Sequence, residues 1–245
     1  MKLNFYIILL LLLSIIAKAD QIFELIKIPN LTLHKLENKN SLAYLKPTKD
    51  FFVGSSYKNV SCKKNQSQNF NKKYLETQRG FDRYNDDFFR KIKLKYIVLC
   101  SELEIAGIPA LGFANPEMKT LILNINFNNS NFERVLHHEV FHIIEHNFKK
   151  YFSNISWGDL NSKEFNYSAC STCSNNYSLE KIYNSKGFVS EYAKSTISED
   201  MAETFSLMMS DNNLILNMIS KDEILDKKVK KIKNIVKKLD FKHQF

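Results

Sequence analysis

The chain has 245 residues, of which 44% are hydrophobic and 13% are aromatic. This composition is typical of a folded protein with a sizeable core and excludes an intrinsically disordered chain. The formal net charge is +9 at pH 7, but the lysines are spread along the chain without a nucleic-acid-binding motif. We therefore expect solvated surface charge and no nucleic-acid partner.

The first predicted element is a secretory signal peptide at residues 1–19. An apolar run from Phe5 to Ile16 follows a lysine, and Ala17-Lys18-Ala19 has the small-x-small pattern of a cleavage site. We therefore expect a mature chain of one domain at residues 20–245, secreted or periplasmic. Retention of the apolar run as an uncleaved anchor is the alternative.

Hydrophobic periodicity predicts the elements that follow. In chain order they are one or two strands within Gln21–Lys46, a loop over Phe51–Ser67, an amphipathic helix over Asn69–Ile92 interrupted near Gly80, a buried strand over Lys95–Ile105, a turn-rich loop over Gly107–Pro116, and a half-buried strand over Thr120–Phe127. This order predicts a small sheet accompanied by one long helix.

The next predicted helix carries an HExxH motif, His138-Glu139-x-x-His142. Residues four apart lie on the same face of a helix, so both imidazoles can bind one zinc ion while Glu139 reaches a water molecule. The flanking residues are mostly apolar, as expected of a core helix that leaves the core near His146. An inverted HxxEH motif, from His142 through Glu145 to His146, is the alternative.

Four cysteines, Cys62, Cys100, Cys170 and Cys173, are present. An even number in an exported protein favours disulfides, and three pairings are possible. Cys170-x-x-Cys173, in a predicted insertion at about 153–180, could alternatively be half of a four-cysteine zinc site.

A second helix could complete the site, because a catalytic zinc ion usually takes three protein ligands. Ser198 is predicted as its N-cap, with Glu199 and Asp200 in the first turn. Glu199 is the candidate third ligand. Glu203, one turn later on the same face, could orient a ligand histidine. The alternative is an ordinary acidic first turn without a metal.

The last predicted element is an amphipathic helix at about 222–240. Its apolar stripe is flanked by seven lysines. We expect the stripe to pack on the domain; weak contact with an anionic membrane surface is the alternative.

The spacing of Tyr192, Glu199 and Glu203, taken with the HExxH motif, resembles the catalytic domain of anthrax-lethal-factor-type zinc peptidases, which are gluzincins. The likeness covers roughly Glu133 to Met209. It implies an α+β, zincin-like fold with a small upper-lobe sheet, the HExxH helix and a C-terminal helical lobe. The roles that it implies are zinc ligation by His138, His142 and Glu199, general base catalysis by Glu139, hydrogen bonding of the oxyanion by Tyr192, and support of the ligands by Glu203.

The segment Trp157-x-x-Leu160-Asn161-x-x-x-Phe165-x-Tyr167 also resembles a segment found between the two helices in secreted relatives of this group. The combined expectation is an exported, monomeric zinc metallopeptidase with one Zn²⁺ per chain and a peptide or protein substrate. Two other functions remain as alternatives. One is a non-catalytic, zinc-containing binding protein, and the other is a membrane-associating protein that acts through the lysine-rich helix.

Overall fold

A computed structural model describes residues 31–35, 40–53, 60–64, 67–85, 87–126, 131–152, 157–173 and 185–239. The predicted signal peptide and its cleavage site lie outside these ranges, so the boundary at residue 20 stays a prediction. Within the described part of the chain, no helix combines the length and the apolar character needed to cross a bilayer.

The protein combines two sheets with several helices, in agreement with the predicted mixture of α and β structure. The strands are β1 (Leu31–Lys35), β2 (Ala43–Pro47), β3 (Phe51–Val53), β4 (Val60–Cys62), β5 (Tyr96–Cys100), β6 (Leu103–Ile105), β7 (Ile108–Pro109), β8 (Gly112–Asn115) and β9 (Thr120–Asn124). The helices are α1 (Ser67–Phe81), α2 (Phe88–Lys91), α3 (Phe132–Asn147), α4 (Lys149–Phe152), α5 (Ile197–Ser210), α6 (Asn212–Ile219) and α7 (Glu223–Lys238).

The larger sheet has five strands in the order β1-β2-β5-β9-β8. Its centre is parallel, because β5 pairs in parallel with both β2 and β9, whereas β1 and β8 are antiparallel to their neighbours. Parallel strands covered on both faces read as continuous apolar runs. The fully buried residues Ile97, Val98 and Leu99 of β5 fit that rule.

Four short strands correct the predictions for two segments. The smaller sheet has the order β3-β4-β6-β7, and all of its pairs are antiparallel. Strands β3 and β4 lie within the loop predicted at Phe51–Ser67, and β7 and β8 lie within the loop predicted at Gly107–Pro116. These strands have two to four residues each, too few for alternation to be recognised, and glycine and proline in two of them gave a turn signal.

Helices α3 and α5 pack against each other. On the other side of α3, a methyl group at Gly80 would lie 2.5 Å from Cδ2 of Leu136. The glycine thus lets α1 approach α3 closely rather than ending the helix, which continues to Phe81 before the break that leads to α2.

The C-terminal helix α7 packs on the domain through its apolar stripe, as expected. Leu225, Val229, Ile232 and Val236 are each at most 2% exposed. One of the seven lysines expected outside the stripe is buried instead, because Lys228 is 0% exposed. The sequence pattern did not indicate this, since nothing in it distinguishes Lys228 from the six other lysines of the helix.

All four cysteines form disulfides, as predicted. Cys62 of β4 is joined to Cys100 at the end of β5, and Cys170 is joined to Cys173. The first bridge therefore connects the two sheets, and the second closes a short loop within the insertion. The alternative of a four-cysteine zinc site is excluded by this pairing.

The two disulfides should differ in their effect on stability, because a longer closed loop restricts the unfolded chain more. Bridges separated by 38 and 3 residues correspond to about 4 and about 2 kcal/mol of loop-closure entropy, respectively. Replacing both Cys62 and Cys100 by serine should therefore lower the free energy of unfolding more than replacing both Cys170 and Cys173. Denaturant unfolding of the two double variants without reductant measures this, and equal losses would contradict the expectation.

Candidate metal centre

The predicted ligands from the two helices converge on one point. Nε2 of His138 lies 3.0 Å from Nε2 of His142, and Oε2 of Glu199 lies 2.9 Å from the first nitrogen and 3.3 Å from the second. These residues are also the cluster of potential metal ligands found among the described residues. Residues of two helices that are far apart in the sequence therefore lie together in the fold.

The three donor atoms fit a zinc ion. Zinc binds imidazole nitrogen and carboxylate oxygen at about 2.0–2.2 Å in tetrahedral geometry, which places ligand atoms roughly 3.3–3.6 Å apart. The observed edges of 2.9, 3.0 and 3.3 Å differ from that spacing by only a few tenths of an ångström. Oε2 of Glu199 is moreover buried and faces both imidazole nitrogens, which suits an atom that binds a cation.

The first turn of α5 presents Glu199, and its cap differs from the predicted one. Thr196 is the N-cap, and its hydroxyl accepts a hydrogen bond from the Glu199 backbone N–H at 3.2 Å. The predicted cap, Ser198, lies inside the helix. The reason for the error is that both residues are good N-caps, and only the backbone conformation decides between them.

Glu139 lies beside the cluster, between α3 and the edge strand β8. Its carboxylate accepts a hydrogen bond from the backbone N–H of Ala114. A methyl group at Gly112 would lie 2.5 Å from Cγ of Glu139. The absence of a side chain at position 112 therefore makes room for the carboxylate. Burial raises the pKa of Glu139 above its usual value, although both nearby histidines oppose the shift.

Tyr192 lies on a 3₁₀ turn, Tyr192–Lys194, that precedes α5. Its ring centroid is 5.9 Å from that of His138. Burial, followed by the negative charge of Glu199 and Glu139, raises the pKa of the phenol well above its usual value. The hydroxyl is therefore held in its protonated form and can donate a hydrogen bond.

This geometry agrees with the comparison to known families. Residues 71–245 match the model of a family described as a putative zinc-binding metallo-peptidase, and this range is well over half of the chain. The chain belongs to this family. A search of curated proteins finds no match.

Within this family member, His138 is held from behind by Glu203. Oε1 of Glu203 lies 2.9 Å from Nδ1 of His138, while Oε2 accepts a hydrogen bond from Ser190 Oγ at 2.6 Å and pairs with Arg134. The hydroxyl of Ser190 also accepts a hydrogen bond from the backbone N–H of Ala193. One carboxylate thus links α3, α5 and the turn that carries Tyr192.

His142 has a carboxylate of its own, on the same helix. Ser198 Oγ donates to Oε2 of Glu145 at 2.5 Å and lies 3.4 Å from Nδ1 of His142. Oε2 of Glu145 is itself 3.7 Å from that nitrogen. The alternative HxxEH motif is not assembled, because Glu145 supports His142 and the exposed His146 lies outside the cluster.

The charges of the cluster compensate one another. Burial lowers the pKa of His138, but hydrogen bonds with Glu199 and Glu203 outweigh it and raise the pKa to about 9. Burial raises the pKa of Glu199, whereas His142 and His138 hold the pKa well below its usual value. The opposite shifts of His138 and Glu199 therefore favour an ion pair between the imidazole and the carboxylate.

Three supporting residues were missed by the sequence analysis. Arg134 lies four residues before His138 on α3, so the i,i+4 spacing on the ligand face was an available signal. Ser190 lies outside any periodic element, and Gly112 lies in a segment interpreted as a loop. No local pattern identifies either of the last two, because each acts through a contact distant in sequence.

The two supporting carboxylates allow a paired test. Loss of a carboxylate that orients a ligand histidine typically weakens metal affinity by about 10- to 100-fold, and we expect this for both Glu203→Gln and Glu145→Gln. Only Glu203→Gln should also lower the free energy of unfolding, by about 3–5 kcal/mol, because it removes one partner of a buried ion pair with Arg134. Zinc titration against a competing chelator and denaturant unfolding measure the two effects. Unchanged affinity in both variants would contradict the assignment.

Proposed function

We propose that this protein is an exported zinc metalloendopeptidase of the gluzincin type, similar to the anthrax-lethal-factor peptidases and zincin-like in fold. Its ligands would be His138, His142 and Glu199, with one zinc ion per monomeric chain. The observation that carries the proposal is the convergence of these three donors on one point, with the buried carboxylate of Glu139 next to them. A zinc site with only a structural role would not require that carboxylate.

The proposed reaction is hydrolysis of a peptide bond. His138, His142 and Glu199 would hold a zinc ion, which would supply a water ligand of lowered pKa and a Lewis acid for the scissile carbonyl. Glu139 accepts the proton of the attacking water and returns it to the leaving nitrogen. Its raised pKa favours this role, since a general base acts best when its pKa is near the working pH. The hydrogen bond from Ala114 and the space at Gly112 keep the carboxylate beside the reacting atoms.

Tyr192 would stabilise the oxyanion that develops on the carbonyl oxygen. Its phenol is protonated and donates a hydrogen bond without adding a charge, which suits an oxygen that becomes negative only during the reaction. The link from Ala193 through Ser190 to Glu203 fixes the turn on which Tyr192 lies.

Strand β8 would hold an extended peptide substrate. It ends the order of the five-stranded sheet, so its outer edge pairs with no strand among those described. It also lies against α3, next to Glu139. An extended peptide that hydrogen-bonds to such an edge gains affinity from its main chain, and its carbonyls would pass close to the general base.

Export of the protein is supported by the two disulfides, because such bridges persist mainly in oxidising compartments. The signal-like pattern at residues 1–19 points the same way. We propose a secreted or periplasmic location for the mature chain of residues 20–245.

Replacing Glu139 by glutamine tests the proposed function. The variant should keep its zinc content, since Glu139 is not one of the three ligands, and should lose at least about 100-fold in turnover. Cleavage of a proteome-derived peptide library, read by mass spectrometry, measures turnover, and metal analysis measures zinc. Full activity of the variant would eliminate Glu139 as the base. A wild-type protein that binds zinc but cleaves nothing would favour the non-catalytic binding protein.

Replacing Tyr192 by phenylalanine tests the second proposed catalytic group. Loss of one oxyanion donor typically costs about 100- to 1000-fold in kcat, and we expect this loss without a change in zinc affinity. Tyr74→Phe is a matched control, because it removes a phenol that accepts a hydrogen bond from Gln78 on α1. An equal decrease in kcat and zinc affinity would assign Tyr192 to the support of the metal site instead.

A further inference from the structure

The residue after the proposed ligand Glu199 is the centre of a buried polar cluster. A single oxygen of Asp200, Oδ2, accepts hydrogen bonds from Trp157 Nε1 at 2.7 Å, Tyr167 OH at 2.6 Å and Lys228 Nζ at 2.6 Å. We call these four residues the Asp200 cluster. Its members come from the insertion, from α5 and from α7, so one carboxylate connects three parts of the chain.

The charged pair at the centre of the cluster is fully buried. The side chains of Asp200 and Lys228 are both 0% exposed. Nζ of Lys228 also donates to the carbonyl of Gly187 at 2.7 Å and lies 3.9 Å from the ring centroid of Phe188. A buried charge pair is expensive to desolvate, and hydrophobic residues of the same volume often stabilise a fold as well or better. Contribution to stability alone is therefore a weak reason for this arrangement.

The position of the cluster suggests a second reason. Glu199 and Asp200 are consecutive residues in the first turn of α5, and successive side chains on a helix point about 100° apart. Glu199 is directed towards the histidines of α3, while Asp200 is directed into the cluster. The first turn of a helix is its least restrained part, because its backbone N–H groups have no partners within the helix. Together with the cap by Thr196 and the hydrogen bond from Ser198 to Glu145, the Asp200 cluster restrains the rotation of this turn.

We propose that Asp200 is a positioning residue for the metal site, and that Trp157, Tyr167 and Lys228 act through it to keep Glu199 directed at His138 and His142. This inference rests on the proposed function, since it takes Glu199 to be a zinc ligand. It also accounts for the segment from Trp157 to Tyr167. Its tryptophan and tyrosine both donate to Asp200, and Asn161 donates to the tyrosine hydroxyl at 2.8 Å.

The mildest test removes one hydrogen bond and keeps the ring. Tyr167→Phe deletes a donor to Asp200, and Tyr74→Phe deletes a comparable phenol on α1, far from the cluster in sequence. If the cluster positions Glu199, the first variant should bind zinc about 10-fold more weakly, and the control should bind it like the wild type. Zinc affinity is measured in the full chain by competition with a chelator. Equal affinity of Tyr167→Phe and wild type would overturn the proposal.

Two further measurements keep the inference separate from the proposed function. Amide hydrogen exchange of residues 197–200, recorded without metal, should be faster in Tyr167→Phe than in Tyr74→Phe, because Asp200 loses one of its three hydrogen bonds. Peptide turnover is recorded in parallel. A wild type that binds no zinc, or binds it and cleaves nothing, defeats the proposed function. Unchanged exchange at 197–200 defeats the positioning role, whatever the turnover.

The double variant Asp200→Asn/Lys228→Met examines the charge pair without leaving one charge buried alone. We expect it to fold and to bind zinc at least 10-fold more weakly than the wild type, since it removes the charged hydrogen bond from α7. If it folds and keeps wild-type zinc affinity, the cluster serves stability only and the proposal is wrong. If it does not fold, the affinity of Tyr167→Phe decides the question.

Discussion

The metal site depends most on the contacts that the carboxylate of Glu203 makes. This carboxylate touches His138 and Arg134 on α3, and Ser190 ahead of the turn that carries Tyr192. Because the group is buried and charged, it is stable only when each of these partners is in place. These contacts therefore favour the packing of α3 against α5 in which Glu199 meets the two imidazoles.

The same constraint explains why two helices with strongly apolar faces also carry charged residues into the core. Histidines that faced each other without a carboxylate would be costly to bury, whereas here His138 is supported by Glu203 and His142 by Glu145 through Ser198. Each supporting group lies behind its ligand, away from the point where the donor nitrogens meet. The arrangement restricts the orientation of the imidazoles and leaves their facing nitrogens available to a cation.

Local spacing predicted part of this site, and contacts distant in sequence determined the rest. The positions of His138 and His142 follow from one helical turn, and Glu199 and Glu203 follow from another, so both pairs were visible in the sequence. That the pairs meet was inferred from the three ligands that a catalytic zinc ion usually needs and from a family resemblance, because no local pattern states which helices pack together. The N-cap was predicted at Ser198 but lies at Thr196, since both residue types are suitable caps. Strand β8 was missed because four residues containing a glycine do not show alternation.

Lys228 shows most clearly why a sequence pattern fails where an ion pair is buried. The sequence pattern places all seven lysines of this amphipathic helix outside the apolar stripe, and only the fold shows that Lys228 reaches Asp200.

The family match includes both residues of this contact. It begins at residue 71, within α1, and runs to residue 245. It therefore includes most of α1, which contacts α3 at Gly80, and all of α7, which contacts α5 at Asp200. Strands β1 to β4 precede the match. The matched segment thus contains every residue proposed here to bind the metal ion or to support its ligands.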